Sequence, residues 1–332
     1  MKDALNRRSR FAKPLVSLKR RTIVIGERDL KMFVALDRHG RLPSTYLFEF
    51  VKAQFPGISG FKNRLTTLYN GYCSDPGHRR LLSDGHKCRP TTYLHRPPQQ
   101  WETVHARYQP GVYELTPNSK LVIEKAGRGT AYVRPPSPFV HDLFASCFTA
   151  SLDLLSQGFV SRDRILMHSK CPPLTRRAPF AIPITHGETL IPDDLFGIEY
   201  EPSRFRFYAL EIDRATERVT TSKVVGSSIA RKVAAYQHLF ETRAYRSYYG
   251  LPNLSVLFAT SSTARRQSLL NYVREVIPDR IHGRFLFKEF STFAHPWRVP
   301  SAPLSVTGEW QCVTGSRELG QHDTMEGREG LQ

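Results

Sequence analysis

Acidic residues are scarce in this 332-residue sequence, because 30 Asp and Glu stand against 48 Lys and Arg and leave a formal net charge of +18. So large a positive excess concentrates polyanions around a protein, and nucleic acid is the commonest polyanion in a cell. An enzyme acting on small molecules does not need such a field. The charge therefore favours DNA or RNA as the partner, and the clustering of the basic residues makes a general aid to solubility a weaker explanation.

Long apolar runs are also missing, and none approaches the roughly 20 residues needed to cross a bilayer, so we expect no membrane partner. Residues 1–21 carry eight basic side chains against one acid, Asp3, without the apolar stretch of a secretory signal. A mitochondrial presequence has a similar composition. We interpret residues 1–21 as a basic flexible arm that contacts phosphates.

The cysteines are few, odd in number and scattered, and no CxxC pair occurs. This pattern argues against a disulfide framework and for a reducing compartment. In one segment Cys73 and Cys88 flank His78 and His86, but the spacing matches no common zinc module, and we interpret the cysteines as free thiols. The five are Cys73, Cys88, Cys147, Cys171 and Cys312.

The pattern of residues 22–126 predicts a winged helix-turn-helix domain. Apolar stripes at helical spacing predict helices over Glu27–Asp37, from Ser44 as N-cap, and over Ser59–Tyr69. A basic, hairpin-like stretch follows, then a strand at Val112–Leu115. In a winged helix the third helix enters the major groove and the wing touches the backbone, whereas the alternative is a three-helix packing unit without DNA. The expected DNA contacts are Lys62, Asn63 and Arg64 on the third helix and Arg79 and Arg80 in the wing.

Residues 139–295 have an α/β pattern, after a linker at 127–138 that is rich in Gly, Pro and Arg. An amphipathic helix is predicted over Val140–Leu155, and strands then alternate with helices up to Phe287. From residue 296 to 332 the sequence is polar and aperiodic. We expect a polar tail there that is partly disordered.

Three acids near the middle of this pattern are the candidate chemical site. Glu211 and Asp213 lie on one face of a predicted strand, because side chains alternate along it, and Asp193 joins them if its strand is a neighbour. Asp194 competes with Asp193 for the inward position. Clustered carboxylates repel one another, and Mg²⁺ or Mn²⁺ relieves that repulsion and activates water for phosphodiester cleavage.

The Pro-Asp and Glu-x-Asp motifs resemble a variant of the PD-(D/E)xK nuclease signature, and the whole order of motifs resembles the plasmid replication-relaxation family. The resemblance implies a restriction-endonuclease-like α/β (α+β) domain after a winged helix, acting on plasmid or mobile-element DNA in the bacterial cytoplasm. The residues that carry it are His141, Pro192-Asp193, the segment Glu211–Glu217 with its Thr216, Arg231-Lys232 and Tyr236.

One departure from the nuclease signature concerns the lysine expected two residues after Glu211, because Asp213 stands there. Lys232 is the best substitute, and Tyr236 lies one turn later on the same helix face. A purely structural interpretation makes Lys232 a solvent-facing residue, Tyr236 a core residue and His141 a helix cap. Tyr236 acting as a nucleophile is a further option. Additional candidate DNA contacts are Arg176, Arg177 and Arg231.

The sequence therefore predicts a metal-dependent DNA-nicking or DNA-cleaving protein of plasmid replication, relaxation or mobilisation. Asp193, Glu211 and Asp213 would be the metal ligands, and Lys232, Tyr236 and His141 would complete the catalytic set. The alternative is a non-catalytic DNA-binding replication or transcription factor with a degenerate nuclease fold. An RNA-binding protein of an organelle is a third hypothesis, supported only by the basic arm. Besides duplex DNA, the sequence leaves two further partners as options, which are a second copy of the chain and other replication or mobilisation proteins.

Overall fold

The computed structural model describes residues 22–72, 91–101, 109–130, 137–173, 175, 179, 181–184, 189–214, 229–296 and 298–319. The chain forms two compact units, Met1–Val133 with Pro296–Leu304 and Arg134–His295 with Ser305–Gln332. Several residues considered above lie outside the described ranges: Cys73, His78, Arg79, Arg80, His86, Cys88, Arg176, Arg177, Thr216 and Glu217.

In its described residues the first unit combines four α-helices with a small antiparallel sheet of strand order β1-β3-β2. Its elements are α1 (Glu27–His39), β1 (Leu42–Pro43), α2 (Ser44–Val51), α3 (Ile58–Asn70), β2 (Leu94–His95), β3 (Val112–Leu115) and α4 (Pro117–Lys125). Their apolar stripes form one core around Phe33, Tyr46 and Phe61. The three predicted helices and the strand are present. The prediction of Ser44 as N-cap is wrong, because Ser44 is the first helical residue and Pro43 precedes it.

The second unit is built on a seven-stranded mixed sheet of order β12-β11-β10-β9-β8-β7-β4, in which β8, β9 and β10 are mutually parallel. Its helices are α5 (Phe139–Leu155), α6 (Arg162–Met167), α7 (Ile229–Glu241), α8 (Ala244–Tyr249) and α9 (Thr263–Val276). Its strands are β4 (Phe159–Val160), β5 (Ile182–Pro183), β6 (Thr189–Leu190), β7 (Asp194–Glu201), β8 (Arg204–Asp213), β9 (Ser255–Thr260), β10 (Phe285–Glu289), β11 (Glu309–Cys312) and β12 (Gly315–Glu318). The mixed α/β class predicted from the sequence is confirmed.

Helices α5 and α7 cover opposite faces of this sheet. Phe148 of α5 contacts Phe196 of β7, which is paired with Tyr208 of β8. Tyr236 of α7 contacts Phe258 of β9, which is paired with Glu211 of β8. Tyr208 and Glu211 lie three residues apart on one strand and therefore point to opposite faces. The face that carries Glu211 is thus the face covered by α7.

The expectation of a polar tail from residue 296 is wrong for the described part of that segment. Residues 309–318 add β11 and β12 to the edge of the sheet, and Trp310 is fully buried against Phe148 and Phe290. The indole N–H of Trp310 donates to the Val306 carbonyl at 2.8 Å. These strands are hard to recognise from sequence, because few of their side chains are buried and most are polar.

None of the helices in the described ranges is both long and apolar enough to cross a membrane.

Candidate functional site

The site is organised by the antiparallel hairpin of β7 and β8. Asp193 lies just before β7, and its backbone N–H donates to the Leu210 carbonyl at 2.9 Å. The Ile212 N–H donates in turn to Asp193 Oδ2 at 2.6 Å. These two bonds fix the Asp193 carboxylate beside the end of β8, where Glu211 also lies. The convergence of Asp193 and Glu211 that strand pairing predicts is therefore what the structure shows.

His141 reaches the same place from the first turn of α5. Its Nε2 lies 3.2 Å from Asp193 Oδ2, and the His141 and Asp193 side chains are 23% and 14% exposed. Burial lowers the pKa of His141, but the hydrogen bond and the charge of Asp193 outweigh it and leave that pKa raised. Burial raises the pKa of Asp193, but the hydrogen bond from His141 and the charge of Lys232 leave that pKa lowered. Both pKa shifts favour an imidazolium paired with a carboxylate, and the contact with Asp193 makes His141 more than a helix cap.

Glu211 is held by two side chains of α7. Lys232 Nζ lies 2.6 Å from Glu211 Oε2, and the Tyr236 hydroxyl donates to Glu211 Oε1 at 2.7 Å. The Glu211 carboxylate is 1% exposed, whereas Lys232 is 26% exposed. Lys232 is therefore not a solvent-facing lysine, because its ammonium turns inward onto the acid. We refer to His141, Asp193, Glu211, Lys232 and Tyr236 as the acid–base cluster.

The pKa of Glu211 is raised to about 7, first by burial and then by the neighbouring Asp193 charge, although Lys232 opposes both effects. The pKa of Tyr236 is raised well above its usual value by burial and by the Glu211 charge. A fully buried tyrosine with so high a pKa is a poor nucleophile toward DNA. Tyr236 instead orients Glu211.

Replacing Lys232 by Met is expected to raise the pKa of Glu211 above 7, because the cation that lowers it is removed. A carboxyl with a raised folded-state pKa favours folding at low pH, and that stability is lost as the pH rises from the unfolded pKa toward the folded one. The variant should thus lose more stability than the wild type between about pH 5 and 8 in chemical denaturation. An equal loss of stability in the variant and the wild type would contradict this prediction. Arg231→Gln, at an adjacent exposed position, is the control.

Asp213 does not join the acid–base cluster, and its prediction as third metal ligand needs correction. Its carboxylate accepts from Arg265 Nε at 2.5 Å and from Arg265 Nη2 at 3.1 Å, and this pair is nearly buried. Arg265 lies in the first turn of α9, where its backbone N–H also donates to Ser262 Oγ. Both oxygens of Asp213 are therefore committed to a bidentate ion pair. The pattern of alternation was right for the face but could not show the arginine, which lies 52 residues away in sequence.

Asp194, the competitor of Asp193, points elsewhere. Its Oδ1 accepts from Arg162 Nη1 at 2.8 Å and from the Leu195 N–H at 2.8 Å. Both members of the Arg162–Asp194 pair are buried, and the pair ties α6 to β7. Asp193 and Asp194 thus divide into one acid at the cluster and one in the core.

The described residues contain no group of three or more His, Cys, Asp or Glu side chains placed to hold a metal. Mg²⁺, however, often takes one or two carboxylates and keeps water in its other positions. Asp193 has an oxygen available for such an ion, because Asp193 Oδ1 receives no protein hydrogen bond within the described ranges. Both oxygens of Glu211 are bonded, one to Lys232 and one to Tyr236, so Glu211 would have to share one of these oxygens with the ion. The three-acid site that the sequence predicted loses Asp213 to Arg265, and a two-carboxylate site at Asp193 and Glu211 stays a prediction.

The three candidate DNA contacts on α3 differ in their exposure and bonding. Lys62 and Asn63 are exposed. The guanidinium of Arg64 instead bonds Asp29 at 2.8 and 2.6 Å and the Val24 carbonyl at 2.6 Å. Arg64 is thus a structural residue of the first unit and not a DNA contact. In the second unit Arg231 is exposed on α7.

A comparison with known protein families finds a match that spans the acid–base cluster. A family model described as replication-relaxation matches residues 88–254, half of the chain, and the match includes His141, Asp193, Glu211, Lys232 and Tyr236. No curated protein and no solved structure matches the chain significantly. On the strength of the family model, the chain belongs to the replication-relaxation family.

Proposed function

We propose that the protein binds the DNA of a plasmid or other mobile element and cleaves a phosphodiester bond with the acid–base cluster. The observation that carries this proposal is the convergence of Asp193, Glu211 and Lys232 at one end of the β7–β8 hairpin. Lys232, from the following helix, supplies the amine that the nuclease signature has two residues after its glutamate. In this proposal the protein works in the bacterial cytoplasm on plasmid DNA.

Each residue of the cluster has a distinct task in such a reaction. Asp193 and Glu211 would hold Mg²⁺ or Mn²⁺, which supplies charge neutralisation and a more acidic bound water. Lys232 is partly exposed, so its ammonium can donate to a phosphate oxygen as well as to Glu211. Tyr236 fixes the orientation of Glu211, and the His141 Nε2 proton fixes that of Asp193. Asp213 supports the end of β8 through Arg265.

The architecture of the first unit supports a role in DNA binding. Its first three helices, α1, α2 and α3, and its three-stranded antiparallel sheet of order β1-β3-β2 are the elements that a winged helix needs. Lys62 and Asn63 are exposed on α3, the helix that would enter the major groove. The overall charge of +18 favours the same partner.

The test is the conversion of supercoiled plasmid to the nicked form by the full chain in Mg²⁺, with EDTA as the metal-free control. Glu211→Ala should abolish nicking and leave binding to duplex DNA largely intact. Glu275→Gln, an exposed acid on α9, is the matched control and should nick like the wild type. Equal nicking by Glu211→Ala would refute the role of the cluster.

A second candidate function, a non-catalytic DNA-binding replication or transcription factor, is favoured by one specific observation. Each acid of the cluster is already ion-paired, Asp193 with His141 and Glu211 with Lys232. Such a closed pairing suits a structural polar core. This alternative predicts no nicking in Mg²⁺ or Mn²⁺ by the wild type, together with DNA binding that weakens steeply as salt rises.

A further inference from the structure

A cavity of about 360 Å³ lies at the opposite end of β8 from the acid–base cluster. Phe205, at the start of the strand, lines it, and Glu211 lies six residues further along. At about 3.3 Å per strand residue the two ends are roughly 20 Å apart. The cavity is therefore a separate site in the same unit.

The floor of the cavity is aromatic. Phe205 and Phe207 lie on the same face of β8, with ring centroids 6.2 Å apart and ring planes inclined by 22°. Both side chains are half-buried. Phe207 rests over Gly197 of the paired strand β7, where a Cβ would come within 2.9 Å of its ring. Glycine at 197 thus makes room for the ring, and both phenylalanine rings line the cavity.

The rim of the cavity is basic. Arg164, His168 and Lys170 line it, and none of the described residues that line it is acidic. Arg164 and Lys170 are exposed, and neither forms an ion pair with a carboxylate of the described chain. The backbone at Lys170 packs closely on Gly250, whose φ of +72° and lack of a Cβ permit the contact. The backbone of the rim thus packs directly on Gly250, and Arg164 and Lys170 have no carboxylate partner within the described ranges.

We infer that this cavity binds one unpaired nucleotide of a DNA strand, with the base on Phe205 and Phe207 and the phosphate at Arg164 and Lys170. Aromatic platforms beside cations are the general chemistry of single-strand binding, because every base has a π-face and every nucleotide a negative charge. A ligand with only a flat base would leave the basic rim without a partner, and a ligand with only a phosphate would leave the aromatic floor without one. The inference deepens the proposed function and rests on it, since a nicked or melted duplex is the source of the unpaired strand.

The test measures binding of a fluorescent oligo-dT to the full chain without divalent metal, so that cleavage plays no part. Phe205→Leu keeps the apolar bulk but removes the ring, and should raise the Kd about tenfold. Arg164→Gln combined with Lys170→Gln should make the slope of log K against log salt shallower by about 1.4, as expected for two lost phosphate contacts. The control, Arg274→Gln with Arg280→Gln, removes two exposed charges elsewhere in the unit and should change neither the Kd nor the slope by a comparable amount.

Wild-type affinity and salt slope in the Phe205 and Arg164/Lys170 variants would overturn the inference while leaving the nicking proposal intact. If wild-type chain binds neither oligo-dT nor duplex, the proposed function fails as well. A competition experiment with free dTMP distinguishes a free nucleotide from a nucleotide within a DNA strand as the ligand. Displacement of oligo-dT by micromolar dTMP would mean that the cavity takes a free nucleotide, which overturns the assignment to a DNA strand.

Discussion

Asp193→Asn is expected to lower the rate of DNA nicking by on the order of a hundredfold or more, while the melting temperature stays close to that of the wild type. An asparagine oxygen can still accept the Ile212 N–H that now donates to Asp193 Oδ2, so the local backbone is preserved. What the substitution removes is the negative charge that would bind the metal ion and that raises the pKa of His141. The measurement is the initial rate of plasmid nicking in Mg²⁺ beside a thermal melt.

The outcome that contradicts this prediction is a nicking rate within a few-fold of the wild type. Asp279→Asn provides the control for loss of an acidic charge, because Asp279 is fully exposed and pairs only with His282 at 3.5 Å within the described ranges. A variant that is inactive and also unfolded would mean that Asp193 is a structural residue, which the retained hydrogen bond argues against.

Asp194→Ala, one residue along, is expected to have the reverse effect, a loss of about 3–5 kcal/mol in the free energy of unfolding. The substitution leaves the buried Arg162 guanidinium without its carboxylate and the Leu195 N–H without its acceptor. Chemical denaturation at neutral pH measures the loss. Nicking per folded molecule should be unchanged, because Asp194 takes no part in the acid–base cluster.

A loss below about 1 kcal/mol for Asp194→Ala would show that the Arg162 pair does not stabilise the core. The double replacement of Arg162 and Asp194 by Met and Leu is the informative companion variant. Removal of both charges avoids the uncompensated cation, so it should be less destabilising than the single change. Together, Asp193 and Asp194 separate a chemical acid from a structural acid at adjacent positions.

The sequence predicted the elements of the site better than its contacts. Helical spacing predicted α5, and alternation placed Glu211 on one face of β8, because these periodicities depend only on local backbone geometry. The order of motifs predicted that His141, Asp193 and Lys232 belong to one site. Tyr236 lies on the helix face that the spacing indicated, but the nucleophile option is not supported by its burial.

The wrong predictions share a physical cause, which is that charged side chains pair with partners far away in sequence. Asp213 was expected at a metal, but Arg265 occupies both of its oxygens. Arg64 was expected at DNA, but Asp29 holds it inside the first unit. Neither partner has a sequence signal, because each pairing depends on how separate elements pack.

The proposed metal site is tested most directly by measuring Mn²⁺ binding to the full chain through the loss of the free-ion signal in electron paramagnetic resonance. We predict that the wild type binds one ion per chain and that the double variant Asp193→Asn, Glu211→Gln binds none at the same concentration. Glu275→Gln should bind like the wild type. Equal binding by the double variant and the wild type would contradict the claim that Asp193 and Glu211 form a two-carboxylate metal site.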